Sequence, residues 1–568
     1  DMLLNQAIAR TLKQIGADTV FGVIGDANLF IVDDYVKNGG HYVSAAHEGG
    51  AVLMALGHAQ VTDRVGVATV SCGPAMTNTL SSLVEGVRAH IPMVLITGDP
   101  PSGDKFHLQR ISHRDVATTA DAGYVEPTRI EDVTRDLVYA FQRAYAEQRP
   151  IVFNYSPYDL QWHEVPDFQP PRLFTGHRHS EARDSPELDE AIGIVATAKR
   201  PIVLAGYGAV KSGEGAQILR LAERLDAPVM TTLRAKDMFR GSRLNLGIFG
   251  ITSRSEAMDA LAISDCVLAF GAGLNVFTSG HGSFFKGKRI VSVSDDMFSI
   301  GRHMTTDVAV LGGLGAVADR MLHWMDEAEI EPSGFADEPQ VRQAIASIAK
   351  PQFNFSGCPE DAPVTIREAM VTINAQVDEQ RLVVTDGGRF MRQPWQLMQV
   401  TEPRYFVSTN LFGAIGTGLG YAIGGASAEP DIPTIVVVGD GGFMLGGLAE
   451  FNTAVRHKLD LIVVLCNDGG YGAEYLHFTD RDLDPGLSLF DWPEFGPLAE
   501  SLGGIESLIE HPGAMTHAST AGSLLEVPDN LVRLGELGRL ERQTLKDSIA
   551  IVRGFKQWLG RRFRFDRL

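Results

Sequence analysis

Between positions 435 and 472 the chain reads IVVVGDGGFMLGGLAEFNTAVRHKLDLIVVLCNDGGYG, and two polar side chains stand where apolar runs stop. Asp440 follows the run of Ile435, Val436, Val437 and Val438; Asn467 follows that of Leu461, Ile462, Val463, Val464 and Leu465, 27 positions further on than Asp440. Open parallel sheets bind ligands beyond the carboxyl ends of their strands, where the following helix turns its N-terminus outward. Gly439, Gly441 and Gly442 allow a tight turn and bring bare N–H groups against phosphate oxygens, aided by the positive end of a helix expected to begin near Phe443. A carboxylate beside a phosphate repels it, so Asp440 implies a cation between them. Magnesium takes about six oxygens from carboxylates, carbonyls, phosphates and water. Asp440 would supply the charge, the Asn467 side-chain oxygen a neutral ligand, and a main-chain carbonyl near Gly469 a third protein contact. No Lys-Ser/Thr pair completes a P-loop, which argues against nucleoside triphosphate hydrolysis.

The elements that must carry these loops follow from pattern and length. At 568 residues the chain exceeds what one core organises, and roughly three or four domains of about 150 residues are expected. Connector-like stretches collect proline and charge at 165–186 and at the two ends of 331–363, which delimits a first segment at 1–165, a central one at 186–335 and a third at 360–568. Each segment alternates short apolar β-rich runs with helix-length patterns, as in VGVATVS (65–71) and PMVLITG (92–98), PIVLAG (201–206) and CVLAFG (266–271), or LVVTDGG (382–388) and TIVVVGDGG (434–442). The fold class expected is α/β, with three doubly wound, largely parallel sheets. Strand, glycine turn, helix and strand recur over 65–98 and 434–469, either as a habit of all doubly wound domains or as a duplicated pair that shares one ligand.

Bulk composition excludes several classes. Hydrophobic residues at 44% and charged ones at 21% describe a globular protein, and a net charge of −20 argues against nucleic-acid and anionic-membrane partners. Cys72, Cys266, Cys358 and Cys466 are far apart and form no C-x-x-C pair, so neither a disulfide framework nor a zinc site is suggested and a reducing cytoplasm fits. No stretch approaches about 18 uninterrupted apolar residues, and DMLLNQAIARTLKQIGA at the start reads as an amphipathic helix rather than a signal peptide.

The GDG with its distant asparagine resembles the diphosphate motif of thiamine-diphosphate enzymes. Cys466 stands where the first of an asparagine pair is usual, while Asn467 keeps the metal-binding position. The resemblance spans about Leu3 to about Gly504 and favours the acetolactate synthase, pyruvate decarboxylase and benzaldehyde lyase branch. It implies pyrimidine-binding, central and diphosphate-binding domains, thiamine diphosphate and Mg2+ as cofactors, and a homo-oligomer with each active site between the first domain of one subunit and the third of another. In that family a glutamate in a dry pocket hydrogen-bonds the aminopyrimidine, and Glu48 in YVSAAHEGGAVLMALGHAQ (42–60) takes this role. SCGPAMTN (71–78), with Ala75 in place of a usual glycine, resembles the loop bordering the pyrimidine and assigns Pro74 and Asn78 to the cofactor. TNLFGAIGTGLGYAIGG (409–425) resembles the segment that bends the coenzyme: the Gly413 carbonyl receives the amino group and Ile415 wedges beneath the rings, with Gly388 joining the cofactor-binding set.

The same resemblance offers substrate-pocket candidates. FGVIGDANL (21–29) places Asp26 where decarboxylases carry a proton-handling aspartate, and HLQRISH (107–113) offers Gln109 in register with the synthases together with His107 or His113, of which His113 is the candidate taken. YGAEY (471–475) puts Glu474 one position from another decarboxylase acid. GAGLNVFTSGHG (271–282) replaces the arginine-bearing pattern of flavin-binding synthases, and VSVSDDM (291–297) their usual I-D-I-D, so FAD is disfavoured though possible, and acetolactate synthase proper is weakened with it. The implied reaction is decarboxylation of a 2-oxo acid with carboligation; acyloin or 1,2-diketone cleavage is the alternative. A non-catalytic cofactor-binding subunit is a rival of another class, against which Glu48 speaks. A nicotinamide dehydrogenase needs G-x-G-x-x-G followed by an acid about 20 residues later, and GYGAVKSG (206–213) matches poorly. No closing strand is read after Gly504, and residues 530–568 read as a helical tail with a basic end.

Overall fold

The computed structural model describes residues 2–165, 168–169, 171–173, 181–349, 365–508 and 523–528. Three six-stranded sheets, parallel throughout, organise them. The first is built from β1 (Thr19–Gly22), β2 (His41–Ser44), β3 (Gly66–Thr69), β4 (Met93–Asp99), β5 (Gly123–Val125) and β6 (Pro150–Pro157), in the order β2-β1-β3-β4-β6-β5. The central sheet comprises β7 (Pro201–Ala205), β8 (Val229–Thr231), β9 (Asn245–Ile248), β10 (Cys266–Phe270), β11 (Arg289–Ser294) and β12 (Val308–Leu311), in the order β9-β8-β7-β10-β11-β12. The third takes β13 (Leu382–Thr385), β14 (Phe406–Ser408), β15 (Thr434–Gly439), β16 (Leu461–Asn467), β17 (Ile505–Leu508) and β18 (Ser523–Pro528), in the order β14-β13-β15-β16-β18-β17.

The strands that carry the glycine loops are apolar without alternation, as in IVVV (435–438), because helices cover both faces of a parallel sheet. Ile435, Val436, Val437, Val463, Val464 and Leu465 are fully buried. The first and third sheets have the same strand order, position for position, while the central one differs. The echo between 65–98 and 434–469 is therefore part of a whole-domain correspondence, which favours the duplicated pair over a habit shared by all doubly wound folds.

Two helices of the paired domains cross at very short range. α1 (Glu48–Thr62) links β2 to β3, α2 (Leu80–Ala89) links β3 to β4, α3 (Gly418–Ala428) links β14 to β15, and α4 (Leu448–Arg456) links β15 to β16. A Cβ on Gly57 of α1 would lie 2.1 Å from the Tyr421 carbonyl oxygen, and one on Gly424 of α3 only 1.9 Å from the Met54 carbonyl oxygen. No side chain fits there, so the α1–α3 contact depends on glycine. One hydrophobic core consequently runs through both domains, joining Ala51, Met54 and Leu56 to Leu419, Tyr421 and Ile423.

Two expectations need correction. Two strands do follow Gly504: β17, and β18, which pairs in parallel with β16 from Val463↔Leu524 to Asn467↔Pro528. SLLEVP escapes a search for apolar runs because Glu526 breaks it after two leucines. The helix of the diphosphate loop begins at Asp440 rather than near Phe443, runs through a π-helical turn at Phe443–Gly447 and continues as α4. Gly439 supplies the extended cap, and two helical glycines leave no apolar periodicity to mark the first turn. Between the two connector-like ends of 331–363, a helix at Pro339–Ala349 packs Val341, Ala344, Ile345 and Ile348 into the core of the central sheet. Cys72, Cys266 and Cys466 form no disulfide among the described residues; Cys358 and the tail at 530–568 lie outside them. Among the described residues no helix is long and apolar enough to cross a membrane.

Candidate cofactor site

Parallel pairing of β15 and β16 registers Gly439 against Cys466, so Asp440 and Asn467 leave neighbouring strand ends side by side. Asp440 is 1% exposed; its Oδ2 accepts the Gly470 N–H at 2.9 Å and the Trp492 indole N–H at 2.8 Å. Burial pushes the Asp440 carboxyl above the usual carboxylate range, opposed by the Trp492 bond and the Gly441 and Gly470 N–H groups. Asn467 Oδ1 accepts the Gly469 N–H at 3.1 Å, and Gly469 turns the chain at φ 69°, where a side chain would be strained. A Cβ on Gly441 would meet the Tyr471 ring at 2.6 Å, so the two loops close on each other only because Gly441 is bare.

This donor set suits magnesium bound to a diphosphate. One carboxylate and one amide oxygen are hard ligands, too few to hold a cation alone, and among the described residues no group of three His, Cys, Asp or Glu could do so. The remaining ligands would be phosphate and water oxygens. Arg389 Nη2 lies 3.6 Å from Asp468 Oδ2, which sets a guanidinium at the same strand ends, next to Gly388.

The loop at 409–418 is held from below by Asp386, at the end of β13. Asp386 is 2% exposed and accepts the N–H of Gly387 at 2.6 Å, the N–H of Gly416 at 2.9 Å and the Thr417 hydroxyl at 3.4 Å. Desolvation raises its carboxyl to about 6 despite these donors. Gly413 stands exposed at φ 92° and Ile415 is half-buried, so both project from the fold where a coenzyme could rest.

In the first domain Glu48 opens α1, behind His47, whose Nδ1 accepts the Gly49 N–H at 3.0 Å. Glu48 Oε2 accepts the Asn78 amide at 2.9 Å, which brings two expected cofactor residues together. Glu48 is only half-buried in the single chain and Asn78 is exposed, so the described residues do not form the dry pocket expected around this acid. Pro74 starts the short helix Pro74–Thr77 after Gly73. His113 lies beneath that loop: 1% exposed, it accepts the Gly73 N–H on Nε2 at 3.1 Å and faces Asp99 Oδ1 at 3.5 Å through Nδ1. Burial lowers its pKa, against the pull of Asp99. Gln109 Oε1 accepts from Cys72 Sγ at 3.3 Å, so Gln109 and His113 brace the glycine–proline loop. Asp26 and Glu474 are exposed in the single chain, and no hydrogen bond draws either side chain to Glu48 or Asp440.

Trp492 and Asp386 were not singled out from sequence. Asp386 had a signal, since it ends an apolar run in VVTDGG as Asp440 does in VVVGDGG; Trp492, 52 positions beyond its partner, had none.

Three family models match in the order of the three sheets: the thiamine pyrophosphate enzyme N-terminal TPP binding domain over residues 2–116, the central domain over 188–321, and the C-terminal TPP binding domain over 386–521. The chain belongs to the thiamine-diphosphate enzymes. The third match continues past Gly504, beyond where the resemblance was expected to stop, and includes β17. Residues 514–563 also match a putative nucleotidyltransferase substrate binding domain. Curated relatives of this thiamine-diphosphate enzyme include the acetolactate synthase large subunit of Corynebacterium glutamicum, 27% identical over 82% of this chain and 75% of that protein. The acetolactate synthase of Mycobacterium bovis is 27% identical over 88% and 82%, and the large subunit of Lactococcus lactis 25% over 88% and 87%. The chain is thus a thiamine-diphosphate-dependent enzyme of the acetolactate synthase branch, in the carboligase and decarboxylase class.

Proposed function

We propose that this enzyme breaks and forms a carbon–carbon bond beside the carbonyl of a small 2-oxo acid, with Mg2+ and thiamine diphosphate, releasing carbon dioxide and joining the remaining fragment to a second carbonyl. The observation that carries this reading is the registered pair of strand ends that sets Asp440 beside Asn467 over a glycine cradle. Asp440, the Asn467 side-chain oxygen and the Gly469 carbonyl hold magnesium; Gly439, Gly441 and Gly442 face the diphosphate, and Gly388 and Arg389 flank it. Gly413 and Ile415, fixed by Asp386, seat the rings. Glu48, oriented by Asn78, hydrogen-bonds the aminopyrimidine, with Pro74 at its border. When bound, the coenzyme supplies a carbon nucleophile and an electron sink.

Gln109, His113, Asp26 and Glu474 belong to the substrate end of this proposal in unequal ways. Gln109 and His113 act by shaping the 72–74 loop, whereas Asp26 and Glu474 reach substrate only if a second subunit folds them into a closed site. That requirement, with the half-buried Glu48, supports a homo-oligomer in which each site is shared. The domains proposed are 1–165, 186–335 and 360–568, with the Pro339–Ala349 helix joined to the central one, in a cytoplasmic enzyme with flavin disfavoured and no nucleic acid or membrane partner. A panel of 2-oxo acids, acyloins and 1,2-diketones, offered to protein reconstituted with Mg2+ and thiamine diphosphate and read by mass spectrometry, tests the reading. Carbon dioxide and a carboligation product from a 2-oxo acid are expected; turnover of acyloins or diketones alone would overturn it.

A further inference from the structure

Hydrogen bonds outside the two cofactor loops tie the domains together crosswise. Glu450, on α4, is 2% exposed; its Oε2 accepts the Ala46 N–H and its Oε1 the His47 N–H, each at 3.1 Å. These are the two residues before Glu48. Thr453 donates its hydroxyl to Glu450 Oε2 at 2.8 Å. Further along the same helical run, His457 Nε2 accepts the Ser44 N–H at 3.2 Å and Arg456 Nη2 donates to the Ser44 carbonyl at 2.9 Å. The backbone from the end of β2 to α1 is therefore fastened at Ser44, Ala46 and His47 to the helical run that begins at Asp440.

The reciprocal arrangement exists at the other loop. Glu85, on α2, is 1% exposed; its Oε1 accepts the Leu411 N–H at 2.9 Å and its Oε2 the Phe412 N–H at 2.7 Å. These residues precede Gly413. α2 follows the Gly73–Asn78 turn as α4 follows the glycines at 439–442, in sheets of matching order, so each domain reaches with one glutamate from behind its own loop to the loop of the other. Gly50 completes the geometry: a Cβ there would lie 2.1 Å from Glu450 Oε1, so the position must be bare for the carboxylate to seat. Burial raises both carboxyls while the N–H donors lower them, and the donors require the ionised form.

We propose that Glu450 is a positioning residue for Glu48, and Glu85 the matching positioning residue for Gly413 and Ile415, each carboxylate fixing through two N–H bonds the direction in which the next residues meet the coenzyme. The proposal rests on the assignment of Glu48, Gly413 and Ile415 to the cofactor. A clamp that merely glued two domains would alter melting and leave the chemistry of folded molecules unchanged. A positioning clamp changes the chemistry, because a displacement of about 1 Å at a reacting group costs on the order of 100-fold in rate.

Glu450→Gln in the full chain separates these roles. Glutamine keeps the volume but offers one oxygen to two N–H donors and turns its own amide against one of them. Without cofactor, hydrogen exchange at the Ala46 and His47 amides should accelerate about tenfold, as for loss of one charged hydrogen bond. With saturating Mg2+ and thiamine diphosphate, exchange of the coenzyme C2 proton for deuterium, read by NMR after acid quench, should slow about 10- to 100-fold. The dissociation constant of the coenzyme should stay near that of the wild type, because the diphosphate loop is untouched. Adding Glu450→Gln to Glu48→Gln should slow C2 exchange no further, since both act through one carboxylate. Should Glu450→Gln not fold, Thr453→Val decides: it removes one donor to Glu450 Oε2 and should slow C2 exchange in the same direction by less. Normal C2 exchange in a variant that folds and binds the coenzyme, or effects that multiply with Glu48→Gln, overturns the proposal. Wild-type protein without affinity for thiamine diphosphate overturns the function itself, a different result.

Discussion

At the scale of single residues, the site depends on a few polar side chains whose partners are now visible. Glu48 accepts a hydrogen bond from Asn78, and the role proposed for it is chemical rather than structural. Glu48→Gln should therefore abolish turnover while thiamine diphosphate binding, measured by calorimetry, is largely retained; full activity in that variant would remove Glu48 from the mechanism. Trp492 donates to the carboxylate that is expected to hold magnesium. Partners of metal ligands are worth about 10- to 100-fold in metal affinity, so Trp492→Phe should weaken Mg2+-dependent coenzyme binding by that factor, and an unchanged affinity would reduce the indole to packing. The strand-end positions of Asp440 and Asn467 were legible because each is a polar group closing an apolar run, and the helix-opening position of Glu48 because it stands before an apolar stretch. Trp492, Glu85 and Glu450 were not, because each acts on a partner that only the tertiary fold supplies, Glu450 across 403 and 404 positions.

At the scale of elements, strand runs announced themselves and close contacts did not. LIVVLCN and TIVVVG are strands as read, since a parallel strand buried on both faces needs an unbroken apolar run. β18 was missed because SLLEVP is short and broken by Glu526. The α1–α3 crossing was invisible in a helix pattern that is apolar all round, although glycines at 50, 57, 420 and 424 mark it in retrospect. Gly424→Ala should cost about 1–3 kcal/mol or more, because its Cβ would overlap the Met54 carbonyl and force the helices apart; an unchanged thermal melt would contradict the crossing. Asp386 gives the third domain a pH signature. Its carboxyl is raised from 3.8 to about 6, so the folded state holds a proton that the unfolded chain has released. The stability this adds is present at low pH and is lost as pH rises through about 6, amounting to on the order of 3 kcal/mol. Denaturant unfolding from pH 4 to 7 should show a smaller decline for Asp386→Asn than for the wild type; parallel curves would mean that Asp386 stays charged throughout.

At the scale of the whole molecule, the first and third domains are a matched pair that share one core, and the central domain stands apart in strand order. The family and the three-domain α/β class were legible from motifs alone, and the matched order explains why the two glycine loops echo each other. Shared sites are an expectation of the family resemblance alone, since no single-chain pattern encodes a subunit boundary. If each site takes Glu48 from one subunit and Asp440 from the other, Glu48→Gln and Asp440→Ala enzymes are each inactive, yet their mixed heterodimer regains one intact site. Recovery of activity on co-refolding the two variants is expected, and its absence would place both residues in a site made by one chain. The most direct test of the whole account is a calorimetric titration of the purified protein with thiamine diphosphate, with and without Mg2+. Saturable binding that requires Mg2+ and disappears in Asp440→Ala is the predicted result; no binding in the presence of Mg2+, or binding unaltered by Asp440→Ala, would contradict it.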